Sequence, residues 1–341
     1  MLQTAPAELQ EAPPKRAEDL DLLKSVLVLA MVAAHAIQIV VRAPGVGALV
    51  FSDFVDFIAF SGFMLAFGIG VGLSKPAARQ RPLPLRLRPA LRLLAAYWIC
   101  AIAFTVLLLR QPVPPEVLFD LLTFARLAGW SEFLATFLLL YLLIAAARPA
   151  LLWIGGRSWA LAVATAAGLS STLVVLESRI PFAATLFGSR LEVTYPLLAY
   201  LPWFLLGIWY GRHTIKVWHF IPALAATLLF HALLQATAEA ARFPPSAIWV
   251  AGSAAYLLLL LALARGAARL TPLPRFLLTP GRHLLSILVC SNVALFAIRY
   301  WLGRPLGSFA EALALSLAIV AAVSGIWLVV EKRRTSPAPP R

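Results

Sequence analysis

The stretch LLKSVLVLAMVAAHAIQIVV, which covers Leu22–Val41, decides the fold class of this chain. An α-helix needs about 20 consecutive, mainly apolar residues to cross roughly 30 Å of hydrocarbon, and this stretch meets that requirement. Nine more apolar stretches follow it, at Ala48–Leu73, Leu93–Leu109, Trp130–Ala147, Ser158–Leu176, Thr194–Gly211, Val217–Gln235, Ser246–Ala264, His283–Leu302 and Phe309–Val330. We therefore predict an all-α fold, a polytopic integral membrane helix bundle with about ten transmembrane helices.

The composition of the chain supports this prediction. Of its 341 residues, 61% are hydrophobic and 13% are charged, whereas soluble domains have about 45–50% apolar and about 25% charged residues. A water-soluble core and a disordered chain are therefore both excluded. The net charge of +14 is explained by the excess of Lys and Arg that cytoplasmic loops of membrane proteins carry, so no nucleic-acid partner is expected.

The distribution of these cations predicts the orientation of the chain. With the N-terminus in the cytoplasm, most of the 29 Lys and Arg residues fall in inner segments, so we expect both termini to be cytoplasmic. We divide the chain into a cytoplasmic lead (residues 1–20), a single transmembrane domain (21–331) and a cytoplasmic tail (332–341). The expected location is the cytoplasmic (inner) membrane of a bacterium. Cys100 and Cys290 lie in apolar stretches and predict no disulfide.

Several predicted spans contain polar residues, which are costly in hydrocarbon and therefore often mark function. They are His35, Gln38, Asp53, Asp56, Glu132, His231, Asn292 and Glu311. The predicted orientation places most of them in the outer half of the bilayer, which indicates a cavity open to the outside. Simpler roles remain for four of them: Glu132 and Glu311 suit helix N-termini, Asp53 suits a helix cap, and His231 suits packing.

The first span carries the most informative pattern. Lys24 and His35 are eleven residues apart, so they share a helix face and lie roughly 16 Å apart along the axis. A neutral imidazole can accept a proton near pH 7, which makes His35 a candidate catalytic base. Asp56 is expected at a comparable depth on the second helix, and we hypothesise that it orients His35.

The segment 74–92 is predicted to be a basic loop. It holds Lys75, Arg79, Arg81, Arg86, Arg88 and Arg92 together with Pro82, Pro84 and Pro89. One interpretation is a loop that lies against anionic lipid headgroups. The other is a binding site for an anionic cytosolic cofactor with phosphates, which the guanidinium fork suits. The sequence shows no cluster of metal-ligand spacing, so no metal site is expected.

The order of several motifs resembles the acyltransferase-three family of membrane acyltransferases. Arg16, Asp21, Lys24 and His35 have the spacing of its first-helix signature, although an Arg usually stands at the position of Lys24. Further similar motifs are Val55–Phe57 with Phe60–Phe63, Arg86–Pro89 with Arg92 and Tyr97–Trp98, Tyr195–Pro196 with Leu201–Gly207, and Gly281–Arg282 with Leu285–Ser286. They run from about residue 16 to residue 300. The branch stays open, and it includes the glucan-modifying and glucosaminide N-acetyltransferase-like relatives.

The resemblance implies transfer of an acyl group, with acetyl as the expected case, from cytosolic acyl-CoA to a hydroxyl or amine of an extracytoplasmic glycan or glycolipid. His35 would be the general base, or as a second choice an acyl-His nucleophile, and Asp56 would orient it or balance its charge. The phosphates of the donor would be bound by four basic residues, Lys24, Arg86, Arg88 and Arg92. The substrate-binding candidates are Gln38, Asp53, Glu132 and Asn292, of which Asn292 stands near where many members carry a second His.

The expected partners are acyl-CoA as a co-substrate, the acceptor and membrane lipid, with no permanently bound cofactor and with a homo-oligomer left open. A transporter or flippase for a saccharide or lipid-linked substrate is the alternative class, because it would also place an intramembrane His with carboxylates. A non-catalytic membrane sensor is a third class that no feature of the sequence favours.

Overall fold

The structure is a computed structural model and describes residues 18–74, 82–177, 180–237, 242–270 and 272–335. The described residues form helices and no sheet. The helices are α1 (Glu18–Val40), α2 (Val46–Leu73), α3 (Leu83–Ala103), α4 (Pro115–Leu122), α5 (Glu132–Ile154), α6 (Ser158–Ser170), α7 (Pro181–Phe187), α8 (Leu197–Tyr210), α9 (Phe220–Thr237), α10 (Ala247–Gly252), α11 (Ala254–Leu270), α12 (Arg275–Arg282), α13 (Leu284–Leu302) and α14 (Phe309–Thr335). Most of the predicted lead, the end of the tail and residues 75–81 of the predicted basic loop lie outside the described residues.

Eight of the helical segments are long and apolar enough to cross a membrane, which confirms the prediction of an all-α, multi-pass membrane protein. They are Glu18–Val40, Val46–Leu73, Pro84–Leu108, Glu132–Ile154, Val217–Ala236, Ala247–Leu270, Leu284–Leu302 and Phe309–Arg333. The two other predicted spans correspond to the shorter apolar helices Ser158–Leu173 and Leu197–Tyr210. These two are too short to count as spans by length alone.

The helices α1 and α2 form the centre of the bundle. About 72% of the apolar window of each is buried, compared with 17% for α5, α9 and α14. The first helix packs against α2, α11, α12, α13 and α14. The outer helices expose large apolar side chains such as Leu224 and Leu228 of α9, as expected for surfaces that face lipid.

Glycines let the backbones of α2 and α8 come into contact. A Cβ atom on Gly68 would overlap the carbonyl oxygen of Phe204, and one on Gly207 would overlap that of Leu65. Small residues let membrane helices approach until their backbones touch, which maximises van der Waals contact where the hydrophobic effect is absent. This contact holds α2, and with it the side chains that α2 turns toward α1 and α5, in a fixed position.

The prediction that residues 74–92 form a loop was wrong for residues 83–92, because α3 begins at Leu83. Pro82 and Pro84 lie at the N-terminus of this helix, where a missing N–H and a fixed φ are well tolerated. Pro89 falls inside the second turn of the helix. The predicted span from Leu93 is therefore extended toward the N-terminus by about ten residues, and Arg86, Arg88 and Arg92 are carried on a helix.

We predict that Gly68→Ala destabilises the protein, because the new methyl group must push α2 away from α8. The expected cost is about 1–3 kcal/mol, as for other overpacked cores, and it should appear as a lower thermal midpoint in detergent. Gly325→Ala is the control, since a Cβ there meets nothing within 4 Å and alanine favours a helix by up to about 1 kcal/mol. Equal midpoints for the two variants would contradict the role of the α2–α8 contact.

Candidate functional site

Four of the eight polar residues singled out in the sequence, namely His35, Gln38, Asp56 and Glu132, line one cavity of about 300 Å³, which we call the His35 cavity. The helices α1, α2 and α5 form its walls, together with residues before α8 and before α10. Its polar lining consists of His35, Gln38, Asp56, Trp130, Glu132, Tyr195 and Arg242. The apolar lining includes Met31, Phe60, Phe63 and Phe133. The predicted topology would open this cavity toward the outside.

Asn292 of α13 holds His35 in a defined orientation. The Nδ1 atom of His35 lies 2.8 Å from Oδ1 of Asn292, while Nδ2 of Asn292 donates to the carbonyl oxygen of Trp130 at 3.3 Å. Because the amide nitrogen is engaged with Trp130, the amide oxygen faces the imidazole, and Nδ1 of His35 must carry the proton. The other ring nitrogen, Nε2, is then an acceptor, and no described residue hydrogen-bonds it.

The indole of Trp130 packs edge-on against the imidazole, with ring centroids 4.7 Å apart. Trp130 has a φ of +66°, a left-handed conformation that a bulky residue adopts only when its surroundings impose it, at a cost of about 1–3 kcal/mol. Two contacts hold it there: the hydrogen bond from Asn292 to its carbonyl and the contact of its ring with His35. The turn before α5 is thus built around the imidazole.

The hypothesis that Asp56 orients His35 was wrong as a direct contact. Asp56 Oδ2 instead accepts hydrogen bonds from Nε2 of Gln38 at 2.8 Å and from Arg242, with which it forms an ion pair. Gln38 also contacts the hydroxyl of Ser52 at 2.6 Å, and Arg242 donates to the hydroxyl of Tyr195 at 3.0 Å. Asp56 therefore holds Gln38 and Arg242 in the cavity wall, and the hydrogen-bond partner of His35 is Asn292.

Arg242 is the main residue of the site that the sequence did not reveal. It lies between α9 and α10, where the sequence does not distinguish it from other basic loop residues. Only the folded chain brings it to Asp56. Burial by itself would lower the pKa of Arg242, but the nearby Tyr195 and Asp56 outweigh this effect and raise it. The guanidinium therefore remains charged and neutralises the carboxylate that faces the cavity.

Two buried polar atoms beside the His35 cavity have no hydrogen-bond partner among the described residues. They are Oε2 of Glu132 and Nε of Arg242. Glu132 is the first residue of α5 and is 9% exposed, so its carboxyl group also lies at a helix N-terminus, as the simpler interpretation expected. An unpaired buried polar atom typically costs about 1–3 kcal/mol.

The remaining polar residues of the predicted spans lie away from the cavity. Asp53 is exposed on α2, in the turn before Asp56. His231 is exposed on α9 and contacts the hydroxyl of Tyr256 at 2.9 Å. Glu311 accepts a hydrogen bond from the backbone of Gly307 at 2.8 Å, at the start of α14. The structure thus does not bring the substrate-binding candidate Asp53 to the other candidates.

A second and larger cavity, of about 860 Å³, lies at the opposite end of α1, and we call it the Lys24 cavity. Its cationic lining comprises Lys24, Arg92 and Arg282, and its other polar and aromatic lining includes Tyr141, His283, Ser286 and Trp327. Lys24 and Arg282 both bind the buried carboxylate of Asp21, at 2.8 and 3.1 Å. Since one carboxylate is shared by two cations and Arg92 adds a third, this cavity favours an anionic ligand.

Two of the residues expected to bind the donor do not line the Lys24 cavity. Arg88 is exposed, and the guanidinium of Arg86 is engaged with the carbonyl oxygen of Ala145 on α5. Arg282 takes their place from α12. This short helix can approach α1 because residue 281 is glycine. A Cβ atom at this position would overlap the carbonyl oxygen of Asp21.

The two cavities adjoin each other along α1. Phe63 of α2 and Phe133 of α5 line both of them. Lys24 and His35, one in each cavity, are separated by roughly 16 Å along the helix axis. Among the described residues, no group of three or more His, Cys, Asp or Glu side chains is arranged to hold a metal ion.

The fold and the two cavities define a multi-pass membrane protein with a cationic site and an imidazole site on one helix. No family model matches this chain, and no curated protein matches it in sequence. The resemblance to membrane acyltransferases is therefore confined to the short motifs.

We predict that Arg242→Ala lowers the thermal midpoint, because it leaves the carboxylate of Asp56 without its cationic partner in a site where that side chain is 9% exposed. The expected loss is about 1–3 kcal/mol, less than for a fully buried pair because the Arg242 side chain is 32% exposed. Adding Asp56→Asn should restore part of it.

The control for this prediction is Arg190→Ala. Arg190 and Glu177 form an exposed ion pair, with side chains 69% and 78% exposed, and such pairs contribute little to stability. If Arg242→Ala melted like Arg190→Ala, the ion pair with Asp56 would not organise the cavity wall.

Proposed function

We propose that this chain is a membrane acyltransferase that moves an acyl group, in the simplest case acetyl, from cytosolic acyl-CoA to a hydroxyl or amine of an extracytoplasmic glycan or glycolipid. One observation carries this proposal: a cationic cavity and an imidazole-lined cavity adjoin each other on α1 and share Phe63 and Phe133. A donor and an acceptor that arrive from opposite sides of a membrane need such an arrangement, because neither has to cross the whole bilayer.

The donor would bind in the Lys24 cavity. Acyl-CoA carries several phosphates, and Lys24, Arg92 and Arg282 offer three cations that face one space. Arg is well suited to phosphate because its fork can donate two parallel hydrogen bonds. The flat surface of Trp327 stacked on His283, with centroids 4.1 Å apart, adds an aromatic wall to the same cavity.

The acceptor would bind in the His35 cavity, where Nε2 of His35 is the general base. As the acceptor oxygen or nitrogen attacks the thioester carbonyl carbon, Nε2 takes its proton. The new C–O or C–N bond forms and the C–S bond breaks. The imidazolium then returns the proton to the leaving thiolate, so that the products are the acylated acceptor and the free CoA thiol.

The hydrogen bonds around His35 support this role. Asn292 keeps the proton on Nδ1 and leaves Nε2 with its lone pair directed away from Asn292. Asn292 is neutral and its oxygen can only accept, so it positions the imidazole without competing for the transferred proton. The positive charge that develops on His35 is met by Glu132, which lines the same cavity, because Asp56 is already paired with Arg242.

We further propose that the chain has ten spans and both termini in the cytoplasm of a bacterial cell, with Ser158–Leu173 and Leu197–Tyr210 as the two short spans. Reporter fusions at Arg341 and in the loop around Val193 should then report opposite sides of the inner membrane. The same side for both fusions would contradict this topology and the assignment of the donor to the Lys24 cavity.

A transporter is the second candidate, because two cavities divided by a thin barrier also suit alternating access. A single measurement separates the two functions. Purified protein in detergent or nanodiscs should consume labelled acyl-CoA when an acceptor is present if it is an acyltransferase. A transporter would move a substrate across a sealed proteoliposome without breaking the thioester.

We predict that His35→Ala removes transfer while leaving donor binding and the folded state largely intact. Loss of a general base typically costs about 10²–10⁴-fold in rate, which can be measured as turnover of labelled acyl-CoA. His231→Ala is the matched control, since that imidazole lies outside the cavity and contacts only Tyr256 by a side-chain hydrogen bond. A folded His35→Ala protein that acylates at the wild-type rate would overturn the assignment of the base.

We predict that Arg92→Gln weakens acyl-CoA binding by about 10-fold, because charge-assisted hydrogen bonds contribute about 1.5–3 kcal/mol each. Arg88→Gln is the control, since Arg88 lies one turn earlier on α3 and does not line the cavity. Binding of a phosphate-free thioester should be similar in both variants. Equal losses of acyl-CoA binding in the two variants would favour lipid anchoring as the role of the basic segment.

A further inference from the structure

Phe63 and Phe133 occupy a special place between the two cavities. Both line the His35 cavity and the Lys24 cavity, and their exposed fractions are only 4% and 7%. Phe60, one turn earlier on α2, lines only the His35 cavity, and Phe137, one turn later on α5, lines only the Lys24 cavity. The two rings therefore lie where the two cavities meet.

The packing of α2 fixes the position of Phe63, and the start of α5 fixes that of Phe133. Phe63 follows Gly62, where a Cβ would come within 3.0 Å of side-chain atoms of Leu27 and Leu257, so α2 lies tightly against α1 and α11. The close contact of α2 with α8 holds the same helix from its other side. Phe133 directly follows Glu132, whose carboxyl group lines the His35 cavity. One ring is thus set by helix packing and the other by the start of α5.

We propose that Phe63 and Phe133 determine which acyl chains the protein can transfer, by setting the width of the passage from the Lys24 cavity to His35. The inference rests on the proposed acyltransferase function. In that reaction the thioester carbonyl must reach the acceptor atom beside Nε2 of His35 while the phosphates stay near Lys24 and Arg92. The acyl chain therefore has to pass the two rings and to fit in the smaller cavity beyond them.

The sizes of the two cavities agree with a preference for short chains. The Lys24 cavity is about 860 Å³, but the His35 cavity is about 300 Å³ and must also hold the acceptor group. Cores and binding sites at native packing density do not yield readily to an added methylene group. A longer chain would have to displace Phe63 or Phe133, whereas an acetyl group would not.

The first test compares transfer from acetyl-CoA and hexanoyl-CoA in the wild type, Phe63→Ala and Phe133→Ala. The wild type should prefer acetyl-CoA in kcat/KM, and each variant should reduce that preference by about 10-fold or more, since one methylene group changes discrimination by about 10–200-fold. Phe57→Ala on α2 and Leu140→Ala on α5 are the matched controls, since both side chains are buried and line neither cavity, and they should keep the wild-type ratio. An unchanged ratio in folded Phe63→Ala and Phe133→Ala proteins would overturn the proposal.

The second test measures the passage without any reaction. The background protein has both native cysteines replaced, by Cys100→Ala and Cys290→Ala. In it, Ala59→Cys places a single thiol in the lining of the His35 cavity. A small membrane-impermeant thiol reagent applied from the side of the Lys24 cavity should label this cysteine slowly. Adding Phe133→Ala should speed labelling by about 10-fold or more, whereas adding Phe137→Ala should not.

The two tests together separate this proposal from the proposed function. If the wild type does not turn over acyl-CoA but labelling depends on Phe133, the acyltransferase function is refuted, and the acyl-chain role with it. The two rings would then be a barrier between the cavities of a membrane protein with another function. Turnover with a chain preference that ignores both rings would refute only the acyl-chain role. Thermal midpoints of the phenylalanine variants, compared with those of the two controls, identify any variant that fails to fold.

Discussion

A polar side chain inside hydrocarbon must find its partners within the protein, because neither lipid nor water can supply them there. This constraint explains why α1 lies at the centre of the bundle. It carries Lys24, His35 and Gln38, and each of them contacts a residue of its own helix or of another helix: Asp21, Asn292 and Asp56. A helix with three such residues cannot lie at the lipid surface, whereas α9 and α14 can.

The sequence allowed the fold class and much of the candidate site to be predicted, because hydropathy and helical spacing are local properties. The apolar stretches correspond to helices, and His35, Gln38, Asp56 and Glu132 do line one cavity. Which faces of two helices meet is not a local property of the sequence, because it depends on how the helices pack. The position of Asn292 beside His35 depends on how α13 packs against α1, and the distance between them in sequence gives no information on that packing.

Elements too short to span the membrane explain the rest of the difference between prediction and structure. Arg282 enters the Lys24 cavity on α12, an eight-residue helix whose approach to α1 depends on Gly281. Arg242 enters the His35 cavity from the connection before α10. Hydropathy treats such segments as loops, and a positively charged loop residue normally indicates only which side of the membrane it faces.

The polar lining of the His35 cavity bears on which acceptor suits the proposed reaction. An ionised Glu132 can only accept hydrogen bonds and Arg242 can only donate them, and both line the cavity. A hydroxyl group can do both, and a sugar offers several hydroxyl groups to such a lining. An apolar group would displace water from these side chains without replacing its hydrogen bonds, at a cost of about 1–3 kcal/mol for each buried polar group left unpaired. The cavity therefore favours a polyhydroxylated acceptor over an apolar one by hydrogen bonding alone, before any contact with the reacting atoms is considered.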